Sequence, residues 1–191
     1  MKKYINLINK KIGFLLLALT FILILPHCAK YKPQRLHQPN GINHEKNDIE
    51  ITKYVFCEDD CKKYFDRKII TKGYQPIQLF IRNKTNKILL IDSNDITLPL
   101  VPVKNVVNKL HRDVGWDATK YFIIGGFRAI EINKQIDEDF SQKTIGYDDI
   151  IKIKPNGTFN RVMFVTRENY TSSFGITLIE QESKEKINFD L

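Results

Sequence analysis

Cys57 and Cys61 are the residues whose spacing most directly offers chemistry. They bracket Glu-Asp-Asp at the start of a segment, Glu58 to Phe65, that reads as a short helix with its acids in the first turn, where the helix dipole favours them. A four-residue spacing stacks the thiols on one helix face with Cα atoms about 6 Å apart, inside the range a disulfide spans but towards its long end. In an exported chain the expected outcome is a Cys57–Cys61 disulfide, with two free or half-buried thiols as the alternative. A Cys-x-x-Cys redox pair or a zinc site needs a different spacing or more ligands.

The other chemistry-bearing residues are scattered. His37 and His44 stand seven apart in a polar stretch and His111 stands alone, so no metal spacing arises. Asp137, Glu138 and Asp139 share one predicted helix, and Asp148 and Asp149 share a loop. Such acids can bind a cation or act as acid and base, but solvated helix and loop acids are far commoner. There is no Gly-rich phosphate loop, no Gly-x-Ser-x-Gly elbow and no His-Glu-x-x-His pair. No catalytic residue, metal or cofactor is therefore expected, and the chain does not read as an enzyme. Asn83, Asn156 and Asn169 each open a glycosylation sequon, which matters only in a eukaryotic secretory pathway.

The elements that must carry these residues begin with an address. Lys2, Lys3, Lys10 and Lys11, with no acid among them, precede an apolar run from Ile12 to Leu25, broken only by Gly13 and Thr20 and ended by Pro26, His27 and Cys28. The run is shorter than the roughly 18 to 20 apolar residues of a spanning helix, so residues 1–27 read as a cleaved export signal. A basic start, a Leu/Ile core and a terminal Cys resemble a bacterial lipoprotein precursor: Leu25 and Cys28 match its lipobox, whereas Pro26 and His27 depart from the small residues it has there. The resemblance implies lipid on the Cys28 thiol. An uncleaved anchor through Ala29 and an ordinary secretory signal are the alternatives.

Charge excludes one class of partner. The whole chain has 30 Lys+Arg against 22 Asp+Glu; losing the four lysines of the signal leaves the mature chain at +4. The excess forms no run of five or six like charges and no basic patch interleaved with aromatics, so nucleic acid is not expected as a partner. Residues 28–47 are polar, with Pro33, Pro39 and Gly41, and read as a flexible tether.

Residues 48–191 read as one mainly β domain. Ile49 to Phe56 is a strand, and Ile77 to Arg82, a polar loop Asn83 to Lys87, and Ile88 to Ile91 read as a hairpin. Asp92 to Asp95 reads as a turn and Ile96 to Val101 as a strand. Val103, Val106, Val107, Leu110 and Val114 then recur at helical spacing, as do Ala129, Ile132, Ile136 and Phe140. Between those helices an apolar joint, Tyr121 to Phe127, contains Gly125 and Gly126. Its aromatics, Tyr121, Phe122 and Phe127, are read first as core that caps an open end of the sandwich and, as the alternative, as a contact surface for a partner, because such residues are enriched at interfaces. Ile150 to Lys154, the Pro-Asn-Gly turn and Phe159 to Val165 read as a second hairpin, and two alternating strands close the chain.

Seven or eight short strands with turns between them predict an immunoglobulin-like β-sandwich, with a two-helix insertion at about 103–144. The order of export signal, β hairpin, apolar Gly-containing stretch, the helix around Asn133 to Phe140 with Lys143, and closing hairpins resembles uncharacterised bacterial envelope lipoproteins. What this implies is location in the cell envelope, anchored to a membrane and facing the periplasm or exterior. The functional expectation is a lipid-anchored module that binds or supports a protein partner; an envelope hydrolase or transferase with an unrecognised site is the alternative. Mass spectrometry of the mature amino terminus should find a lipid-modified Cys28 as the first residue; an unmodified Cys28 in a chain still starting at Met1 would establish the uncleaved anchor instead.

Overall fold

The structure, a computed structural model, describes residues 30–147 and 149–191, excepting the side chains of 114–126 and 128. The compact unit is Tyr31–Leu191. The signal and Cys28 lie outside the described residues. Among the described residues no helix is long and apolar enough to cross a membrane.

The strands are β1 (Ile42–Lys46), β2 (Ile49–Val55), β3 (Tyr74–Asn83), β4 (Leu89–Ile96), β5 (Ile150–Ile153), β6 (Thr158–Thr166), β7 (Gly175–Glu180) and β8 (Lys186–Asp190). They form two antiparallel four-stranded sheets, ordered β1-β2-β3-β6 and β5-β4-β7-β8. Helix α1 (Glu58–Phe65) lies between β2 and β3 in sequence; α2 (Val103–Leu110) and α3 (Val114–Lys143) lie between β4 and β5. The domain is mainly β, as expected.

Two separate cores explain the sequence pattern. Ile49 and Ile51 of β2, Ile77, Leu79 and Ile81 of β3, and Met163 and Val165 of β6 face Leu89, Ile91, Ile176, Leu178, Ile187 and Phe189 of the other sheet in one buried cluster. The opposite face of the first sheet is covered as well. Val162 and Phe164 of β6 and Tyr74 of β3 pack with Phe65 of α1, Val106, Val107 and Leu110 of α2, and Ile132, Ile136 and Phe140 of α3. A strand buried on both faces reads as an unbroken apolar run, and Val162-Met163-Phe164-Val165 is such a run. β7 and β8 alternate buried and more exposed residues, since their outer face meets solvent.

Four expectations are corrected. The segments read as two hairpins are strands, but they do not pair with each other: β3 and β4 belong to different sheets, as do β5 and β6. A short polar loop closes a hairpin or arches between sheets equally well, and only the distant partners decide. Asp92 to Asp95 is not a turn, because β4 runs through it with an irregular register between Ile91 and Ile96. The joint at Tyr121 to Phe127 does not exist; α3 is continuous for 30 residues. Gly125 and Gly126 cost the helix about 1 kcal/mol each. Burying Ile132, Ile136 and Phe140 farther along it contributes about 1.5–3 kcal/mol apiece, which outweighs that cost. Finally, residues 31–47 are not a tether: β1 pairs with β2 in register, Ile42 opposite Lys53 and Lys46 opposite Ile49.

The two arches meet at Asn83, which is fully buried. Its side-chain amide donates to the carbonyls of Lys87 (2.8 Å) and Lys154 (3.0 Å), and its Oδ1 accepts from the Thr85 amide (3.0 Å) and hydroxyl (2.7 Å). Its backbone N–H reaches the Gly157 carbonyl at 2.9 Å, and Asn156 N–H reaches Thr85 at 3.2 Å. Asn156 takes a φ of 52°, a left-handed conformation that Asn tolerates. One side chain thus saturates both connections between the sheets. Asn83→Ala removes both amide donations and the acceptor of Thr85 at a buried position and should lower unfolding free energy by roughly 1–3 kcal/mol; urea denaturation checks this, and Asn83→Asp, which cannot donate, should not rescue it.

Candidate functional site

A cleft of about 470 Å³ opens beside α2 and the C-terminal part of α3, with Val103, Val107 and Thr144 in its lining and Lys104, His111, Asp137, Ser141 and Asp149 among its polar residues. α2 ends at Leu110, and the amphipathic spacing that buries Val106, Val107 and Leu110 leaves His111 at the helix end. There His111 Nε2 lies 2.9 Å from Asp137 Oδ1. Asn133, one turn before Asp137, fixes the α2–α3 corner: its Oδ1 accepts from Arg112 N–H at 2.8 Å and its amide donates to the Arg112 carbonyl at 3.1 Å. Asp149 Oδ2 accepts from Gly146 N–H at 2.6 Å. The pairing of His111 with Asp137 is not visible in the chain, where 26 residues separate them.

A histidine oriented by a carboxylate is half of a general-base arrangement, and the other half is a nucleophile within hydrogen-bond reach. Ser141 does not supply it: its hydroxyl donates back along its own helix to the Glu138 carbonyl at 2.8 Å. Among the described residues no group of three or more His, Cys, Asp and Glu is placed to hold a metal ion.

The three consecutive acids of α3 separate in space. Asp137 faces His111, Glu138 stays exposed 3.9 Å from Lys134, and Asp139 turns inwards. Asp139 accepts from the Tyr31 hydroxyl at 2.6 Å and pairs with Lys143 at 2.6 Å, while Lys143 Nζ also donates to the Tyr64 carbonyl at 2.7 Å. The Arg67 guanidinium lies 5.0 Å from the centre of the Tyr31 ring. Burial, then the Asp139 carboxylate, raises the Tyr31 hydroxyl far above its ordinary range, so it stays a donor. Burial also pulls Lys143 down, against the pull of Asp139. Reading Tyr31 as tether concealed this cluster; the Asp139/Lys143 spacing of four was its one sequence signal.

Tyr31 begins a strap. Lys32 N–H donates to Asp66 at 3.1 Å, Gln34 N–H to the Lys63 carbonyl at 2.9 Å, and the His37 carbonyl accepts from Gln78 at 2.7 Å and Asn160 at 3.3 Å. Tyr31 and Leu36 pack against the helical core.

The expected disulfide is not formed: Cys57 and Cys61 are free thiols. Cys57 is the N-cap of α1 and exposed, its N–H donating to Asp60 at 2.9 Å. Cys61, one turn on, is buried with Phe56, Phe65 and Ile69. Cys61 is thus enclosed in the helical core while Cys57 faces solvent. Of the expected contact aromatics, Phe127 is 68% exposed and Ile130, one turn later, 55% exposed; the side chains of Tyr121 and Phe122 lie outside the described residues, as does Asp148.

The chain matches no protein-family profile, no curated protein and no solved structure.

Burial pushes the Cys61 thiol up to about 12, so it stays protonated and unreactive at neutral pH. Iodoacetamide on the native protein should label Cys57 alone, and label both residues once the protein is denatured; failure to label either in unreduced, denatured protein would restore the disulfide.

Proposed function

We propose that this chain is a lipid-anchored cell-envelope protein whose immunoglobulin-like domain binds another protein. The strand order supports the fold reading. Taking β2 to β8 as A, B, C, C′, E, F and G, the sheets run A-B-E and C′-C-F-G, the order of strands in immunoglobulin-like sandwiches. On that scheme β1 is an added edge strand and α2 and α3 are an insertion between C and C′. The apolar export run ending on Cys28 supports the lipid anchor and the envelope location.

The observation that carries the binding role is on α3. Ala129, Ile132, Ile136 and Phe140 bury one stripe of the helix, and Phe127 and Ile130 stand exposed, three residues apart, away from it. Residues three apart are neighbours on a helix surface. A large aromatic and a branched aliphatic side by side in solvent add nothing to either core and offer a partner an anchoring pair of the kind that dominates interfaces.

The second reading, an envelope hydrolase or transferase, draws on the cleft with His111 and Asp137. Ser141, a hydroxyl residue in that cleft, is turned back to the Glu138 carbonyl, and the binding reading stands ahead of the enzyme for that reason.

A photoreactive residue placed at position 127 or 130 should give one discrete crosslinked species in intact envelopes, while the same residue at position 150, where Ile150 is also exposed, should give none. Equal yields at all three positions, or no adduct at 127 and 130, would overturn the assignment of the binding face. Phe127→Ser with Ile130→Ser should abolish crosslinking from a neighbouring position without lowering the melting temperature.

A further inference from the structure

We propose that the face of the domain carrying Lys32, Arg35, Lys63 and Lys68 rests on the surface of a bilayer rich in anionic phospholipid. The inference builds on lipid attachment at Cys28 and adds the orientation of the domain and the chemistry of its contact.

The first argument is length. Tyr31 is held to Asp139 at 2.6 Å and Lys32 to Asp66 at 3.1 Å, so the chain is fixed to α3 and the end of α1 from residue 31 onwards. Cys28 precedes Tyr31 by three residues, which span at most about 10 Å. A free coil of twenty residues would instead separate anchor and domain by about 25 Å. The difference decides the electrostatics, because charge attraction is screened over about 10 Å at 0.1 M salt. Docked, the strap keeps this face within reach of the headgroups; as a coil it would not.

The second argument is how charges are partitioned there. Residues 30–37 contain Lys30, Lys32 and Arg35 and no acid. Nearby acids are engaged internally: Asp66 accepts from Lys32 N–H and lies 3.7 Å from Arg67, and Asp139 is enclosed by Tyr31 and Lys143. Glu58 accepts from Ile70 N–H at 3.0 Å, and Asp60 from Tyr54 at 3.0 Å and Cys57 N–H at 2.9 Å. Asp59 is the most exposed of them and pairs with Lys62, and Asp66 is partly exposed but engaged by Lys32 N–H and Arg67. Lys32, Arg35, Lys63 and Lys68 are exposed. Exposed cations beside acids that already have partners within the domain, next to the anchored end, is a distribution that anionic headgroups attract.

The test uses the lipid-bearing protein reconstituted into vesicles of phosphatidylglycerol and phosphatidylethanolamine, or of phosphatidylcholine alone. Amine acylation rates are read lysine by lysine by mass spectrometry. Lys154 and Lys184 serve as references, near the arches at the far end of the ten-residue β3, about 30 Å away. Lys32, Lys63 and Lys68 should react several-fold more slowly on the anionic vesicles only. The protection should vanish at high salt, and Lys63→Glu with Lys68→Glu should remove it from Lys32. Rates that are uniform, or insensitive to the lipid, overturn the inference while leaving the anchor standing if Cys28 carries lipid in the same digest. An unmodified Cys28 overturns both.

Discussion

Three aromatic rings from three separated parts of the chain hold the helical layer to the sheet. Phe140 of α3 lies 4.5 Å from Phe65 of α1 and 5.8 Å from Phe164 of β6, with Phe65 and Phe164 5.9 Å apart. Each ring is almost wholly buried, and such ring pairs contribute about 0.5–1.5 kcal/mol beyond the burial of their area. Phe164 points away from the core between the sheets, so without α1 and α3 it would stand in water. Phe164, with Val162 and Tyr74 on the same outward face, is what the helices cover, and the strap packs on those helices in turn. An insertion between two strands has thereby become a structural layer.

Much of this was legible locally and little of it globally. Period-two alternation located β7 and β8, and acids at its start located α1 within its observed bounds. The helical recurrence of Ile132, Ile136 and Phe140 identified the buried stripe of α3. What failed was everything set by distant partners. Asn83 looked like a loop residue because nothing nearby reveals that it will saturate the carbonyls of Lys87 and Lys154. Tyr31 sat among prolines and lysines, and its partner Asp139 lies 108 residues away. The thiols failed for a related reason: spacing brings Cys57 and Cys61 near, but tertiary packing buries one and exposes the other. Of the contact surface, Phe127 was found by residue type alone, under a wrong premise about the backbone that carries it.

Polar groups in this domain serve two distinct ends. At Asn83 every hydrogen-bonding capacity of a buried amide is used, which fixes the connections between the sheets. In the cleft, His111 and Asp137 satisfy each other while remaining partly open to solvent, with side chains 26% and 55% exposed. The first arrangement tolerates no exchange of partner. The second leaves the imidazole and carboxylate accessible.

The strap also sets an order on biosynthesis. Tyr31 and His37 leave the ribosome early, yet their partners Asp139 and Asn160 follow 108 and 123 residues later. At about 5–20 residues per second, that interval is on the order of 5–25 s. Until then the amino-terminal segment can lie only against α1 and β3, through Asp66, Lys63 and Gln78, and β1 only against β2. The segment that joins anchor to domain is therefore secured in two stages, and a chain acylated before synthesis ends would be attached to its membrane through a linker held by α1 and β3 but not yet by α3 and β6.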